Sequence, residues 1–223
     1  MIKLENICKS YGDIVLFKDF NATFEEHKIH CLLGGSGVGK TTLINIIAGI
    51  VTPDSGSIYL PKGSIPSYVF QEPRLLPWYD VYENIDFVLK EHYPPDERKS
   101  IIEKYLKMVG LEDSIHSSIG SLSGGMVQRV SLCRAFAYPS NLLFLDEPFK
   151  GLDSKLKEGV LESFMRIYKE DLRTVFFVTH DLDEAFFLAD YIYVLKNRPA
   201  VIAGQFNRPI FGPDTRIQIL NTL

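Results

Sequence analysis

The chain has 223 residues and a net charge of −4, with 46% hydrophobic and 23% charged residues. This is the balance of an ordinary globular protein with a packed core, and the length allows one sizeable domain or one domain with a sub-lobe. The negative charge argues against a protein whose main task is to hold nucleic acid. Three scattered cysteines, Cys8, Cys31 and Cys133, fit neither a disulfide framework nor a zinc site and are typical of a reducing compartment. No apolar run approaches the roughly 20 residues that span a bilayer, and no signal-peptide pattern is present, so we expect other subunits to supply any membrane part.

The first third of the chain has the pattern of strands followed by a glycine-rich loop. Residues up to about 33 predict short strands, with turn residues at Tyr11, Gly12 and Asp13. Ile29–Leu33 is a short apolar run that predicts a buried strand and leads directly into the loop. Apolar residues at helical spacing follow from Leu43. The order is therefore strand, glycine loop, helix.

The rest of the chain predicts a helical middle and two more buried strands. Apolar runs at 142–145 and 174–178 suit strands of a parallel sheet covered on both faces. The helical pattern at 154–169 between them completes a βαβ unit. The middle, about residues 74–138, has no clear strand. Its helical patterns are at 81–90, 96–109 and 123–137.

The loop matches the pattern G-x-x-x-x-G-K-[ST] at Gly34, Gly39, Lys40 and Thr41. Glycines let successive backbone N–H groups turn inward, and the helix that follows directs its positive end to the same point. Lys40 adds a full charge for the β and γ phosphates, and Thr41 offers a hydroxyl to magnesium. The predicted ATP-binding residues of the loop are Gly34, Gly35, Ser36, Gly37, Val38, Gly39, Lys40, Thr41 and Thr42.

A carboxylate for the metal is predicted at the end of the second buried strand. Asp146 follows four apolar residues and comes at the carboxyl end of the strand, where α/β sheets bind ligands. Glu147 comes next and is placed to accept a proton from an attacking water. An Asp-Glu pair after a strand is by itself usually a solvated turn, but beside a phosphate loop the functional interpretation is favoured.

A second anion-binding helix end is predicted at 122–129, which has the sequence Leu-Ser-Gly-Gly-Met-Val-Gln-Arg. This segment resembles the signature motif of the ATP-binding cassette (ABC) ATPases. The resemblance implies two subunits packed head-to-tail, so that each signature closes over the ATP held by the other subunit. The residues that would contact the partner's ATP are Ser123, Gly124, Gly125 and Gln128.

The resemblance extends over essentially the whole chain and implies roles for further residues. Tyr11 resembles the aromatic residue that stacks on adenine, and Gln71 resembles the glutamine that meets magnesium and the attacking water. Asp153 lies in a Gly-Leu-Asp loop that would cross the dimer interface. His180 resembles the switch histidine that contacts the γ-phosphate. The implied cofactors are ATP and Mg²⁺, with metal ligands Thr41, Gln71 and Asp146 and catalytic residues Glu147, His180 and Gln71.

Pattern and resemblance together predict an α/β fold. We expect a P-loop NTPase core with a mostly parallel sheet, an N-terminal antiparallel β subdomain and an inserted helical subdomain. The core would comprise residues 1–73 and 139–223, and the helical subdomain about 74–138, within one ABC ATPase domain. Two residues depart from the family pattern. Gly35 stands where proline is common, and Lys150 stands where a small residue is usual.

The subgroup is indicated by the segment from Gln71 to Trp78, Gln-Glu-Pro-Arg-Leu-Leu-Pro-Trp, together with Gly-Gly-Met at 124–126. These resemble the nitrate, sulfonate and taurine importers. That implies transmembrane permease subunits, an indirect solute-binding protein partner, a small anionic solute, and a peripheral place on the cytoplasmic face of a bacterial or archaeal membrane. Because the chain ends at 223, we expect no appended regulatory domain. A generic importer cassette, a non-transport or DNA-associated ABC ATPase, and a P-loop GTPase or kinase stay open, although no Asn-Lys-x-Asp base reader is present.

Overall fold

The computed structural model describes residues 1–208 and 212–223. Its contacts divide the chain into two compact units. The first comprises Met1–Pro66 and Arg173–Leu223, and the second comprises Ser67–Leu172. The sequence had suggested a helical subdomain at about 74–138, and those boundaries remain a prediction.

Strands and helices alternate along much of the chain. The strands are β1 (Ile2–Tyr11), β2 (Ile14–Phe24), β3 (Ile29–Gly34), β4 (Ser55–Tyr59), β5 (Pro66–Val69), β6 (Leu142–Asp146), β7 (Thr174–Val178), β8 (Tyr191–Lys196) and β9 (Val201–Asn207). The helices are α1 (Lys40–Ile47), α2 (Val81–Leu89), α3 (Pro95–Val109), α4 (Gly124–Ala137), α5 (Ser154–Glu170), α6 (Leu182–Leu188) and α7 (Pro213–Thr222). Short 3₁₀ turns occupy Glu112–Ser114 and Ile119–Ser121.

The N-terminal segment forms an antiparallel sheet in the order β2-β1-β4. β1 and β2 are joined by a tight turn at the predicted position, where Gly12 has a φ of 56°. The two strands have 10 and 11 residues, longer than the short strands expected. Register shifts along their pairing explain why a simple alternation of apolar and polar residues is not visible in the sequence.

In the same unit, β3 is the centre of a mostly parallel sheet. It pairs in parallel with β7 on one side and with β8 on the other, and β9 pairs antiparallel with β8. All six residues of β3 are buried, as expected for a strand covered on both faces. Aromatic rings pack beside it, with Phe24 edge-on to Phe176 at 4.9 Å. The parallel arrangement places the carboxyl ends of β3 and β7 at one edge of the sheet.

The second unit holds the predicted helices. α4 packs against α2, α3 and α5. The first turns of α2 and α3 have local causes. α2 begins with a capping box between Asp80 and Glu83, and α3 has a proline in its first turn. Gly110 ends α3 with a φ of 68°, in the left-handed region. β6 neighbours β5. The expected α/β class, with a mostly parallel sheet and an antiparallel β portion, is therefore confirmed.

Candidate functional site

The glycine loop lies between β3 and α1, as predicted. Gly39 precedes α1 with a φ of 109°, and a Cβ at this position would lie 2.9 Å from Cζ of Phe17. Gly37 also has a positive φ, 73°, and a Cβ there would collide with Nη2 of Arg198. Both positions therefore require glycine. A Cβ at Gly35 would meet open space, so the surroundings of this position leave room for a larger residue.

Lys40 is held inside its own loop. Its side chain is buried, with 7% of the residue exposed, and Nζ donates to the carbonyl oxygens of Gly34 at 2.8 Å and Gly35 at 2.9 Å. An ammonium at this depth needs acceptors, because a buried charge without partners is costly. The positive charge is thus positioned at the N-terminus of α1, where the helix dipole also favours an anion.

Tyr11 ends β1 and its ring is half exposed. Nζ of Lys9 lies 5.2 Å from the centre of the ring, within the range of a cation–π contact. Lys9 is itself fixed by Asp54 at 2.8 Å and by the carbonyl oxygen of Thr52 at 2.9 Å. The structure therefore presents an accessible aromatic ring, and its role in stacking on adenine stays a prediction.

Asp146 ends the buried strand β6 in the second unit, and Glu147 follows it. Asp146 is the last residue of the strand and is partly exposed. Burial, and after it the charge of Asp146, raises the pKa of Tyr68 on β5. Glu147 has a φ of 45°, an uncommon value for a residue other than glycine. Backbone conformations of this kind cluster at functional sites, where the surrounding structure must hold them in place.

The carboxylate of Glu147 forms an ion pair that the sequence did not predict. Nζ of Lys150 lies 2.5 Å from Oε2 of Glu147. Lys150 is the residue noted for departing from the family pattern, and the structure connects that departure with the predicted general base.

Gln71 lies in an exposed bend that follows β5. The bend is anchored to α4 by Arg134, which donates to the carbonyl oxygens of Pro73 at 2.8 Å and Arg74 at 2.9 Å. Arg74 in turn stacks on Phe70, with Cζ 4.0 Å from the centre of the ring. The segment that carries Gln71 is therefore tied to the helix that begins at the signature motif.

The signature motif forms the N-terminus of α4. Ser123 is the N-cap, and its Oγ accepts from the N–H of Met126 at 3.3 Å. A Cβ at Gly125 would lie 3.2 Å from Cδ2 of Leu156, so this glycine allows α4 to approach α5 closely. Ser123 and Gly124 are exposed, which leaves them accessible to a second molecule.

Two of the predicted interface residues have structural surroundings that the sequence did not indicate. Gln128 is only 3% exposed, and its Nε2 has no hydrogen-bond partner among the described residues. In this conformation its side chain does not reach the surface. Asp153 is exposed, but its Oδ1 caps α5 by accepting from the N–H groups of Lys155 at 3.1 Å and Leu156 at 3.0 Å. Their contacts with a partner's nucleotide or interface stay predictions.

His180 follows β7 and is exposed. The residues on either side of it are fixed by a small network: Thr179 donates to Oε2 of Glu184 at 2.5 Å and accepts from the N–H of Asp181 at 3.0 Å. Asp181 also caps α6, accepting from the N–H of Asp183 at 2.8 Å. The backbone around His180 is therefore well held while its side chain is open to solvent.

Arg198 is a residue that the sequence analysis missed. It lies in the turn between β8 and β9, and its guanidinium occupies the space beside Gly37. The turn is attached to the antiparallel sheet by the N–H of Ala200, which donates to the carbonyl oxygen of Leu16 at 2.8 Å. A cavity of about 380 Å³ beside the phosphate loop is lined in part by Lys196 and Arg198. No sequence motif marks these residues, because they come near the loop only through strand pairing.

The ligands predicted for magnesium suit that ion in the type of donor atom that each would offer. Among the described residues, no three His, Cys, Asp or Glu side chains come together as a metal-binding group. The predicted ligands Thr41, Gln71 and Asp146 are instead a hydroxyl, an amide and one carboxylate. Mg²⁺ prefers such hard oxygen donors and usually completes its shell with water and substrate phosphates.

Comparison with known proteins decides the family. A family model described as ABC transporter matches residues 17–150. The chain belongs to the ABC transporter family. The nitrate import ATP-binding protein of Synechococcus elongatus is 37% identical in an alignment that covers 89% of this chain and 77% of the relative. The bicarbonate transport ATP-binding protein of Synechocystis sp. is 36% identical in an alignment that covers 93% of this chain and 80% of the relative.

A solved ABC cassette has the same fold. It is a dimeric structure of a post-hydrolysis state bound to ADP and Pi, 29% identical, with a TM-score of 0.79 over 95% of this chain and all of that chain. The present chain is thus an ATP-hydrolysing ABC cassette. Within the part of the cassette that the structure describes, every helix is too short or too polar to cross a membrane.

Proposed function

We propose that this cassette binds ATP with Mg²⁺ and uses its hydrolysis to power the import of a small anion. The observation that carries the proposal is the combination of the formed phosphate loop, with Lys40 buried in it, and similarity to nitrate and bicarbonate import subunits over most of the chain. Nitrate, bicarbonate and organic sulfonates are the solutes to test, since each is a small anion.

The chain's own residues account for the chemical step. The loop and Lys40 bind the β and γ phosphates, while Thr41, Gln71 and Asp146 would hold Mg²⁺, which when bound neutralises phosphate charge. Glu147 orients a water and accepts its proton as the water oxygen bonds to the γ-phosphorus. The bond from that phosphorus to the bridging oxygen breaks, and ADP leaves with the electron pair. His180 holds the γ-phosphate, because phosphoryl transfer depends mainly on positioning and charge neutralisation.

A second copy of the cassette completes each site in this proposal. The exposed N-terminus of α4, at Ser123 and Gly124, has backbone N–H groups suited to the γ-phosphate of a nucleotide held by another molecule. The dimeric state of the solved relative supports this arrangement. The head-to-tail dimer makes hydrolysis depend on two chains, whereas the first binding of ATP depends on one.

An aromatic surface in the second unit is the proposed contact with the permease. Trp78 is 72% exposed, and Tyr79 links it to the exposed Phe87 of α2, with ring centres 6.4 Å and 6.2 Å apart. Exposed aromatic residues in a row are typical of a groove that receives an amphipathic helix. The cassette would thereby sit on the cytoplasmic face of the membrane, and the permease would receive solute from a solute-binding protein.

The test is to assemble the cassette with its permease in vesicles, add the solute-binding protein, and measure phosphate release and uptake of labelled nitrate, bicarbonate and taurine. ATP hydrolysis that rises with the permease and with one of these solutes is the expected result. Hydrolysis that responds to added DNA and not to the permease would contradict the importer function and would favour a DNA-associated function. An absence of ATP hydrolysis in the assembled complex would contradict the enzymatic role itself.

A further inference from the structure

The contact between Lys150 and Glu147 has a local structural cause. Pro148 and Phe149 separate the two residues, and the N–H of Lys150 donates to the carbonyl oxygen of Glu147 at 3.2 Å. This is a β-turn with Pro148 at its second position. Proline favours such turns because its ring fixes φ. Phe149 is buried and anchors the turn. The chain therefore reverses direction, and the lysine side chain returns to the carboxylate.

The ion pair with Lys150 involves a carboxylate oxygen of Glu147 that the proposed hydrolysis of ATP would use. Nζ of Lys150 is 2.5 Å from Oε2 of Glu147, and the carboxylate side chain is 19% exposed. A carboxylate that orients an attacking water needs an oxygen available to that water, and Nζ of Lys150 lies against Oε2 of Glu147. The lysine therefore competes with water for this carboxylate oxygen.

We propose that Lys150 is a positioning residue that restrains Glu147 and slows hydrolysis in the resting cassette. The inference rests on the proposed role of Glu147 in ATP hydrolysis. The lysine side chain is 48% exposed, so solvent screens the pair and its effect is modest. Half-exposed ion pairs of this kind change the equilibrium between the paired and unpaired side chains by about two- to fivefold. The restraint on Glu147 can therefore be released and is not a permanent block.

The kinetic test uses the full chain and three substitutions. Lys150→Met removes the charge and keeps much of the side-chain length, while Lys150→Arg keeps the charge. We expect Lys150→Met to raise kcat for ATP by about two- to fivefold with KM unchanged, and the rise to be absent from Lys150→Arg. Lys169→Met is the matched control, because Lys169 is an exposed lysine on α5 in the same unit. It should not change kcat.

A second measurement does not depend on turnover. Urea unfolding without nucleotide, on wild type, Lys150→Met, Glu147→Gln and the double variant, forms a double-mutant cycle. We expect the two substitutions to be coupled by a factor of about two to five in the unfolding equilibrium constant. Additive effects, or a kcat that falls in Lys150→Met, would overturn the restraint. A chain that binds no ATP would overturn the proposed function, while the unfolding cycle would still decide whether the two residues interact.

Discussion

The ammonium of Lys40 donates a hydrogen bond to the carbonyl oxygen of Gly34, 2.8 Å away. A second donation, to Gly35 at 2.9 Å, fixes the lysine within the loop that it serves. The charge is therefore positioned before any phosphate arrives, and the side-chain entropy lost on binding is correspondingly small.

Lys40→Ala should weaken ATP binding by about ten- to hundredfold or more, since hydrogen bonds to charged groups contribute about 1.5–3 kcal/mol each. Titration with a fluorescent ATP analogue would measure this change in affinity. Lys62→Ala is the matched control, because Lys62 is an exposed lysine in the same unit. Unchanged affinity for ATP in Lys40→Ala would show that the loop does not bind the nucleotide.

Glu147→Gln should bind ATP like wild type and hydrolyse it about 10²- to 10⁴-fold more slowly, because the amide keeps the shape of the side chain and cannot accept the proton. The variant should accumulate as an ATP-bound dimer, which gel filtration with and without ATP would detect. Turnover near the wild-type rate would show that Glu147 is not the general base and that Gln71 and His180 act on the attacking water instead.

Lys40→Ala and Ser123→Arg should each abolish hydrolysis alone and restore part of it when mixed. In a head-to-tail dimer of one chain of each kind, one site has an intact loop and an intact signature. Random pairing in an equal mixture would restore at most about a quarter of wild-type activity, since half the dimers are mixed and each has one of two sites. Activity well above a quarter of wild type, or none at all, would count against this arrangement.

Trp78→Ala should weaken permease binding while leaving the ATPase activity of the isolated cassette unchanged. Aromatic residues at the centre of an interface contribute about 2 kcal/mol or more, roughly thirtyfold in Kd. Trp78 is the chain's only tryptophan, so its emission reports on the contact directly. Trp78→Phe is the conservative control and should retain much of the affinity. Emission that does not respond to the permease would place the contact elsewhere.

The free energy of unfolding should depend on pH through His30. Burial lowers the pKa of His30 to about 4, opposed by the backbone hydrogen bond to Glu25 and by the charges of Asp190 and Glu25. Lys28 lowers the pKa further. Nε2 donates to the carbonyl oxygen of Glu25 at 2.8 Å, and the hydroxyl of Tyr193 lies 3.3 Å from Nδ1.

The sign follows from which state binds the proton. Between the ordinary pKa of 6.5 and the value near 4, the unfolded chain is protonated at this position and the folded chain is not. Stability from this group therefore falls as the pH falls through that range, by at most about 1.4 kcal/mol per pH unit, and is independent of pH above it. Urea unfolding of His30→Phe should have a shallower pH dependence than wild type. An identical slope in the two proteins would show that His30 does not titrate on unfolding.

Local sequence was sufficient to predict the elements that bear the site. Ile29–Leu33, the glycine loop and the helix after it are consecutive in the chain, and their pattern depends on residues only a few positions apart. The same holds for β6 with Asp146 and for the cap at Ser123. These features were predictable because backbone conformation and capping are set by near neighbours.

Contacts between distant or reversing segments required the tertiary structure. Arg198 lies beside Gly37 because β8 pairs with β3, and Gln128 is buried because α4 packs among three helices. Neither pairing leaves a signal in the local residue pattern. Lys150 is only three residues from Glu147, yet only the turn around Pro148 decides that their charges meet. The sequence by itself determined which chemical groups this protein has; the packing of strands and helices decided which of them are exposed, which are buried and which restrain one another, because those outcomes depend on free energies summed over the whole chain.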